Sequence, residues 1–328
     1  MPKARITAVG CYAPPRLLTN EDLSGMVETS NDWIVDRTGI RQRHIAAPEM
    51  ATSDMAIEAS RIALARGGMD PGELDAILVC TVTPDHMFPA TACLVQHAIG
   101  AKRAWGFDIS AACSSFVYGL TTAAHFCSAG SHRKILVVGS DTMSRIIDYT
   151  DRSTCVLFGD GAGAMIVEQT DDDDPDCFIG FLNQIDGSGA LNLHMPAGGS
   201  RLPPTHETIE KRLHFVKQEG QQVFKFAVRK MFEICRDLLE KHGYTPQDVK
   251  ILIPHQANKR IVCAVAERLG IHEVLINIDR YGNTTAATIP LATNDALEAG
   301  KLQKGDLVLF AAVGAGFTVG ANLWRWAY

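Results

Sequence analysis

With 328 residues, 46% of them hydrophobic and 21% charged, the chain can bury a large core as one α/β unit or two domains, and its composition is that of a soluble globular protein. A net charge of −6 supplies no global basic field and argues against a nucleic-acid partner. Nine cysteines with no CxxC pair exclude a disulfide scaffold and clustered zinc ligation, and no stretch approaches the roughly 18 apolar residues of a membrane span. Met1 to Gly10 lacks the apolar region of a secretory leader, so a cytoplasmic protein without metal or membrane insertion is expected. Cys80, Cys93, Cys235 and Cys263 lie within apolar patterns and read as reduced core thiols.

In chain order, the first strong pattern is Ala63 to Cys80 (ALARGGMDPGELDAILVC), which predicts a helix closed by Gly68, a turn opened by Pro71 and a short buried strand. Trp105 to Leu120 (WGFDISAACSSFVYGL) predicts a strand, a run of small residues and an apolar helix, and Lys134 to Gly139 (KILVVG) predicts a further strand. Thr170 to Asp176 (TDDDDPD) reads as a solvated loop rather than a metal site. Beyond it, Leu238 to His255 (LLEKHGYTPQDVKILIPH) repeats the first pattern: Pro71 falls opposite Pro246 (246 − 71 = 175), and Gly68 opposite Gly243. A second echo pairs Phe107–Gly130 with Ile278–Gly300, setting Asp108 against Asp279, and a strand follows each, the second being Asp306–Ala311 (DLVLFA). Two echoes in the same order predict a duplication seamed at the acidic loop. The expected architecture is two α/β halves, residues 1–175 and 176–328, packed pseudo-symmetrically around a site.

Three polar positions in these halves stand out. Cys113 is placed where a strand gives way to a helix, and the positive end of a helix dipole favours thiolate over thiol. His255 follows the strand Val249–Ile253, at the carboxyl end of a sheet where ligand crevices form. Asn283, in DRYGNTTAATIP, precedes a helix start and falls close to the repeat equivalent of Cys113. Taken singly, each has an ordinary structural explanation: a core thiol, a structural histidine, a helix cap.

The surrounding motifs change that balance. TSNDWIVDRTGIRQRHIA (Thr29–Ala46), FDISAACSSF (Phe107–Phe116), TDRSTCVLFGDGAGA (Thr150–Ala164), PAGGSRLPP (Pro196–Pro204), VFKFAV (Val223–Val228), PHQANKRI (Pro254–Ile261) and GNTTAAT (Gly282–Thr288) run in order through nearly the whole chain. In these the sequence resembles the thiolase superfamily, most closely its β-ketoacyl-[acyl carrier protein] synthase III family. The resemblance implies a thiolase-like α/β fold, two pseudo-symmetric halves in a layered αβαβα arrangement. It also implies a cofactor-independent acyltransferase of type II fatty-acid initiation, with acyl-CoA and malonyl-[acyl carrier protein] as partners and a homodimeric assembly.

By the same resemblance, Cys113, His255 and Asn283 are the catalytic residues. Cys113 takes the acyl group, His255 and Asn283 donate hydrogen bonds to the malonyl thioester carbonyl as CO₂ leaves, and the backbone amides of Cys113 and Ala315 form the oxyanion hole. Trp33, Arg37 and Arg152 are matched to CoA, and Gly220, Phe224 and Asn258 to the pantetheine channel. Lys225 and Arg260 are expected to dock the acidic carrier protein. Arg229, one helical turn from Lys225, reads equally well as a solvated cation. Phe88 corresponds to an aromatic sent into the partner subunit's acyl pocket. Ser114, Ser115 and Val319 in GAGFTVG depart from the family pattern, so the resemblance leaves pocket shape and acyl preference open.

The main competing reading keeps the fold and changes the pathway: condensation for polyketide, alkylquinolone or long-chain ketone synthesis, with another acyl donor or malonyl-CoA. A non-catalytic partner subunit is disfavoured by the three intact residues. Thiolase-type degradation needs a second cysteine near the C-terminal glycine loop, and Val313–Gly320 contains none.

Overall fold

The computed structural model describes residues 3–328. Its first sheet is built from β1 (Lys3–Tyr12), β2 (Ala76–Cys80), β3 (Trp105–Ile109), β4 (Lys134–Asp141) and β5 (Gly161–Thr170), in the order β1-β5-β4-β2-β3. The second uses β6 (Phe178–Ile185), β7 (Ile251–Pro254), β8 (Leu307–Gly314) and β9 (Thr318–Arg325), in the order β6-β9-β8-β7. The two orders match position for position, and so do the pairings. Strands β4–β2 and β8–β7 are parallel, while β1–β5, β5–β4, β6–β9 and β9–β8 are antiparallel. A lone parallel bridge, Leu252 to Val274, stands where the second sheet would carry its counterpart of β3.

Hydrophobic pattern decides the layers. β2 and β8 are buried at every position, as strands covered on both faces must be. On the outside of the first sheet lie α2 (Thr52–Arg66) and α3 (Thr91–Ile99), which follow α1 (Asn31–Thr38) near the chain start. α4 (Ser115–Ser128) and, from the second half, α7 (Thr288–Glu298) share one core with both sheets and form the central layer. Outside the second sheet lie α5 (Gly220–Lys241) and α6 (Lys259–Leu269). Along α5 the buried residues Ala227, Met231, Ile234, Cys235 and Leu238 recur at helical spacing, and full burial of each large apolar chain contributes roughly 1.5–3 kcal/mol. The result is the expected αβαβα layering.

The first sequence echo is structural throughout: Pro71–Glu73 and Pro246–Asp248 are matching 3₁₀ turns, and Gly68 and Gly243 both have positive φ, 59° and 73°. The second echo is out of register at its start. Asp108 lies in β3 and accepts the amides of Thr91 and Ala92 at the start of α3, whereas Asp279 sits in the short turn of helix Ile278–Tyr281. Equivalence begins later, where Ala112–Ser114 and Thr285–Ala287 are 3₁₀ turns that each open on a residue at φ 49° and each feed a central helix. That offset (285 − 112 = 173) makes Ala286 the counterpart of Cys113 and sets Asn283 three residues earlier. Two of the cysteines read as core thiols, Cys93 and Cys263, are exposed on the outer helices, and Cys80 and Cys235 are buried.

Helices squeezed between two sheets need small residues at the contact. A Cβ on Gly119 of α4 would meet Cys80 Sγ at 2.7 Å and Val137 Cγ1 at 2.9 Å. Gly119→Val is therefore expected to lower stability by about 1–3 kcal/mol through overpacking, read as a lower urea midpoint with unchanged slope.

Candidate active site

Cys113 lies in the turn Ala112–Ser114, before the first residue of α4, and is buried. The turn is held from the other half: Thr318 Oγ1 donates to the Ala111 carbonyl at 2.9 Å, and Ser114 Oγ donates to the Thr318 carbonyl at 3.1 Å. Gly314, at the end of β8, comes so close that a Cβ there would stand 2.8 Å from the Cys113 nitrogen. The expected thiolate is corrected by this setting. Burial, and next the charge of Asp141, push the thiol up to about 12, so the resting thiol is neutral.

His255 follows β7 directly, and its backbone amide donates to the Ala311 carbonyl at 2.8 Å. Its Nδ1 lies 2.7 Å from Thr288 Oγ1, and its Nε2 is buried without a partner. Burial holds the ring down to about 3, so the imidazole is neutral. Asn283 is oriented by the next turn: its Oδ1 accepts the Thr285 amide at 2.9 Å, which leaves Nδ2 as the free donor.

These three residues line one cavity of about 80 Å³ together with Gly220, Phe224 and Asn258. Gly220 and Asn258 also line a larger entrance of about 520 Å³ with Trp33, Arg37, Arg152 and Arg260. There the guanidinium carbons of Arg37 and Arg152 lie 4.7 and 5.0 Å from the Trp33 ring centre. Asn258 Oδ1 caps α6 by accepting from Arg260 N at 2.8 Å, and its Nδ2 donates one hydrogen to the Arg37 carbonyl at 2.9 Å. A third cavity, about 170 Å³, reaches Cys113 from another side and is lined by Val82, Met143, Ile146, Phe158, Met195 and Ala315 among others.

Other expected site residues are placed apart. Arg260 stacks on Phe224 at the entrance, 5.5 Å from the ring centre, whereas Lys225 and Arg229 border a separate depression with Asp186 and Phe226. Phe88 is 87% exposed on the loop before α3 and does not line the cavities at Cys113. Ala315 keeps an ordinary φ, because the neighbouring Gly316 takes the positive one, 134°. Thr288 and Thr285, which bond His255 and Asn283, carried no signal in the sequence beyond a run of threonines.

The profile of the 3-oxoacyl-[acyl-carrier-protein] synthase III family matches residues 107–187, and that of its C-terminal region matches residues 239–326. A beta-ketoacyl-[acyl-carrier-protein] synthase III from Solibacter usitatus is 69% identical over 100% of both chains. The chain belongs to the β-ketoacyl-[acyl-carrier-protein] synthase III family. A family member from Koribacter versatilis is 54% identical over 99% of this chain and 98% of its own. The crystal structure of the family's enzyme from Aquifex aeolicus VF5 superposes with a TM-score of 0.91 at 43% identity, covering 98% of this chain and 100% of that one.

Within this synthase III framework, the three sequence departures do not shape the cavities at Cys113. Ser114 is spent on the Thr318 carbonyl, Ser115 donates to the Ala112 carbonyl at 2.6 Å, and Val319 packs in the core of the second half. The raised Cys113 thiol has a direct readout. Because only the thiolate is alkylated, labelling of Cys113 by iodoacetamide should keep accelerating past the ordinary cysteine midpoint of about 8.5, with a plateau there contradicting the burial effect.

Proposed function

We propose that the chain joins an acyl-CoA primer to malonyl-[acyl carrier protein] by decarboxylative condensation, initiating type II fatty-acid synthesis, with Cys113, His255 and Asn283 as catalytic residues. The observation that carries this reading is one cavity presenting a thiol, an unpartnered imidazole Nε2 and a free amide Nδ2. Cys113 sulfur attacks the acyl carbonyl, the C–S bond to CoA breaks, and the thiol proton leaves with CoA. The malonyl thioester then loses CO₂. Its enolate carbon bonds to the acyl carbon as the Cys113 thiolate departs and recovers a proton from solvent.

Charge develops on the malonyl thioester oxygen, so donors aimed there stabilise the transition state more than the ground state. Asn283 Nδ2 is one such donor. The single Thr288 hydroxyl proton is within reach of both the Thr285 carbonyl, at 3.0 Å, and His255 Nδ1, at 2.7 Å; we assign it to Nδ1, the Thr285 carbonyl keeping the Thr288 backbone amide, so that Nε2–H of neutral His255 is the second donor. Backbone amides of Cys113 and Ala315 are assigned to the oxyanion hole of the acyl-transfer steps. No resident cofactor is required by this chemistry, since both substrates arrive as thioesters.

Trp33, flanked by Arg37 and Arg152, is assigned to the nucleotide end of CoA, where an aromatic face and cations suit an adenine and its phosphates. Gly220, Phe224 and Asn258 are assigned to the pantetheine arm. Of these Asn258 keeps a second Nδ2 hydrogen for the arm beside the one given to the Arg37 carbonyl. Exposed Arg260 at the entrance and exposed Lys225 at the neighbouring depression are assigned to an acidic carrier. A homodimer is supported by the half-exposed edge strand β3, which carries Trp105 and Phe107, and by the projecting side chains of Met87 and Phe88. No helix among the described residues is long and apolar enough to cross a membrane. Relatives at 69% and 54% identity named as synthase III favour fatty-acid initiation over the polyketide, alkylquinolone and ketone pathways.

Separate assays of the half-reactions test the assignment. Cys113→Ala should take up no acyl group from acyl-CoA. His255→Ala and Asn283→Ala should each lose about 10²-fold or more in malonyl decarboxylation while Cys113 still acylates, and equal losses in both steps would refute the division of roles. For the carrier surface, Lys225→Glu should weaken use of malonyl-[acyl carrier protein] several-fold and leave acylation by acyl-CoA intact. Added salt should narrow the gap, since exposed charges are screened over about 10 Å at 0.1 M.

A further inference from the structure

The fully buried carboxylate of Asp141, the last residue of β4, has no part in the chemistry above, yet it bonds to both halves of the molecule. Its Oδ1 accepts from Thr81 Oγ1 at 2.9 Å, the amides of Val82 at 2.8 Å and Thr83 at 3.2 Å, and Thr83 Oγ1 at 3.0 Å. Its Oδ2 accepts from the Thr285 hydroxyl and from the Ala286 amide at 3.3 Å. Backbone amides only donate, so the ionised form is the one this cage matches. Burial pushes the carboxyl above its ordinary value, against the pull of those donors. Stability alone is a poor reason to keep such a charge, because buried ions contribute little net stabilisation relative to well-packed apolar groups.

What the carboxylate holds is informative. Thr285 has φ 49°, a conformation disfavoured for a β-branched residue, and its amide is the donor that orients Asn283. Two residues before Asp141, Gly139 passes so close beneath this turn that a Cβ would lie 2.4 Å from the Ala286 carbonyl oxygen. The bonded chain thus runs from Asp141 through Thr285 to Asn283, across the join between the halves. We infer that Asp141 is a positioning residue for the condensation half-reaction, clamping the Thr285 turn so that Asn283 presents Nδ2 to the malonyl thioester. The inference rests on the donor role proposed for Asn283. The same charge also disfavours the Cys113 thiolate.

Asp141→Asn keeps the size and removes the charge. Malonyl decarboxylation should fall about tenfold or more while acylation from acyl-CoA is retained. The pH midpoint for alkylation of Cys113 should also move down by about half a unit or more. Thr285→Val, which serves if the first variant fails to fold, should reproduce the decarboxylation loss with no downward shift of that midpoint, and Thr285→Ser should restore decarboxylation. Equal loss of both half-reactions with an unmoved Cys113 profile would make Asp141 merely structural and overturn the inference. Asn283→Ala, measured alongside, separates the two failures. If it decarboxylates normally, the donor reading falls; if it is impaired while Asp141→Asn and Thr285→Val are not, the clamp alone falls.

Discussion

The structure depends on one steric constraint: two helices must pass between two sheets with no room to spare. Gly119, Ala123 and Ala124 on α4 meet that demand by being small, and Gly163 meets it from the sheet, where a Cβ would strike Pro290 of α7 at 2.6 Å. Because the packing is this close, the turns that lead into the two helices are pinned as well. Ala112 and Thr285 adopt the same left-handed conformation at the same place in their halves. Cys113 and Asn283 sit on or beside those turns, and Thr288, the first residue of α7, meets His255, so the central layer sets the positions of all three.

The same closeness sets the electrostatics. Cys113 and His255 are both buried and both held neutral, the thiol by a raised pKa and the imidazole by a lowered one. The resting site therefore holds hydrogen-bond donors without a net charge of its own, apart from Asp141 behind the turn. Donors fixed in a dry site act on developing negative charge without having to reorganise. This arrangement differs from the dipole-activated thiolate suggested by the position of Cys113 at a helix start. Burial is the leading influence on this thiol, and the cysteine sits in a turn under Gly314, not at an open helix terminus.

Much of this was legible in the sequence, for identifiable reasons. The strand Ala76–Cys80 and its repeat at Ile251–Pro254 are unbroken apolar runs next to Pro-opened turns, and both formed as expected. The second repeat was misaligned because Asp108 and Asp279 share a letter and differ in role, the first capping a helix from a strand and the second lying in a helical turn. Cys93 and Cys263 misled because the apolar neighbours of each lie on the opposite helix face. The residues that brace His255 and Asn283 were illegible. A threonine that bonds a histidine 33 positions away looks, in one dimension, like any helix-starting threonine.

The entrance has a consequence for traffic. Gly220 and Asn258 border both the wide mouth at Trp33 and the narrow cavity at Cys113, so the two spaces are successive stretches of one passage. On the route proposed above, primer and extender thioesters would share this passage and reach Cys113 in turn, the leaving CoA withdrawing before the extender advances.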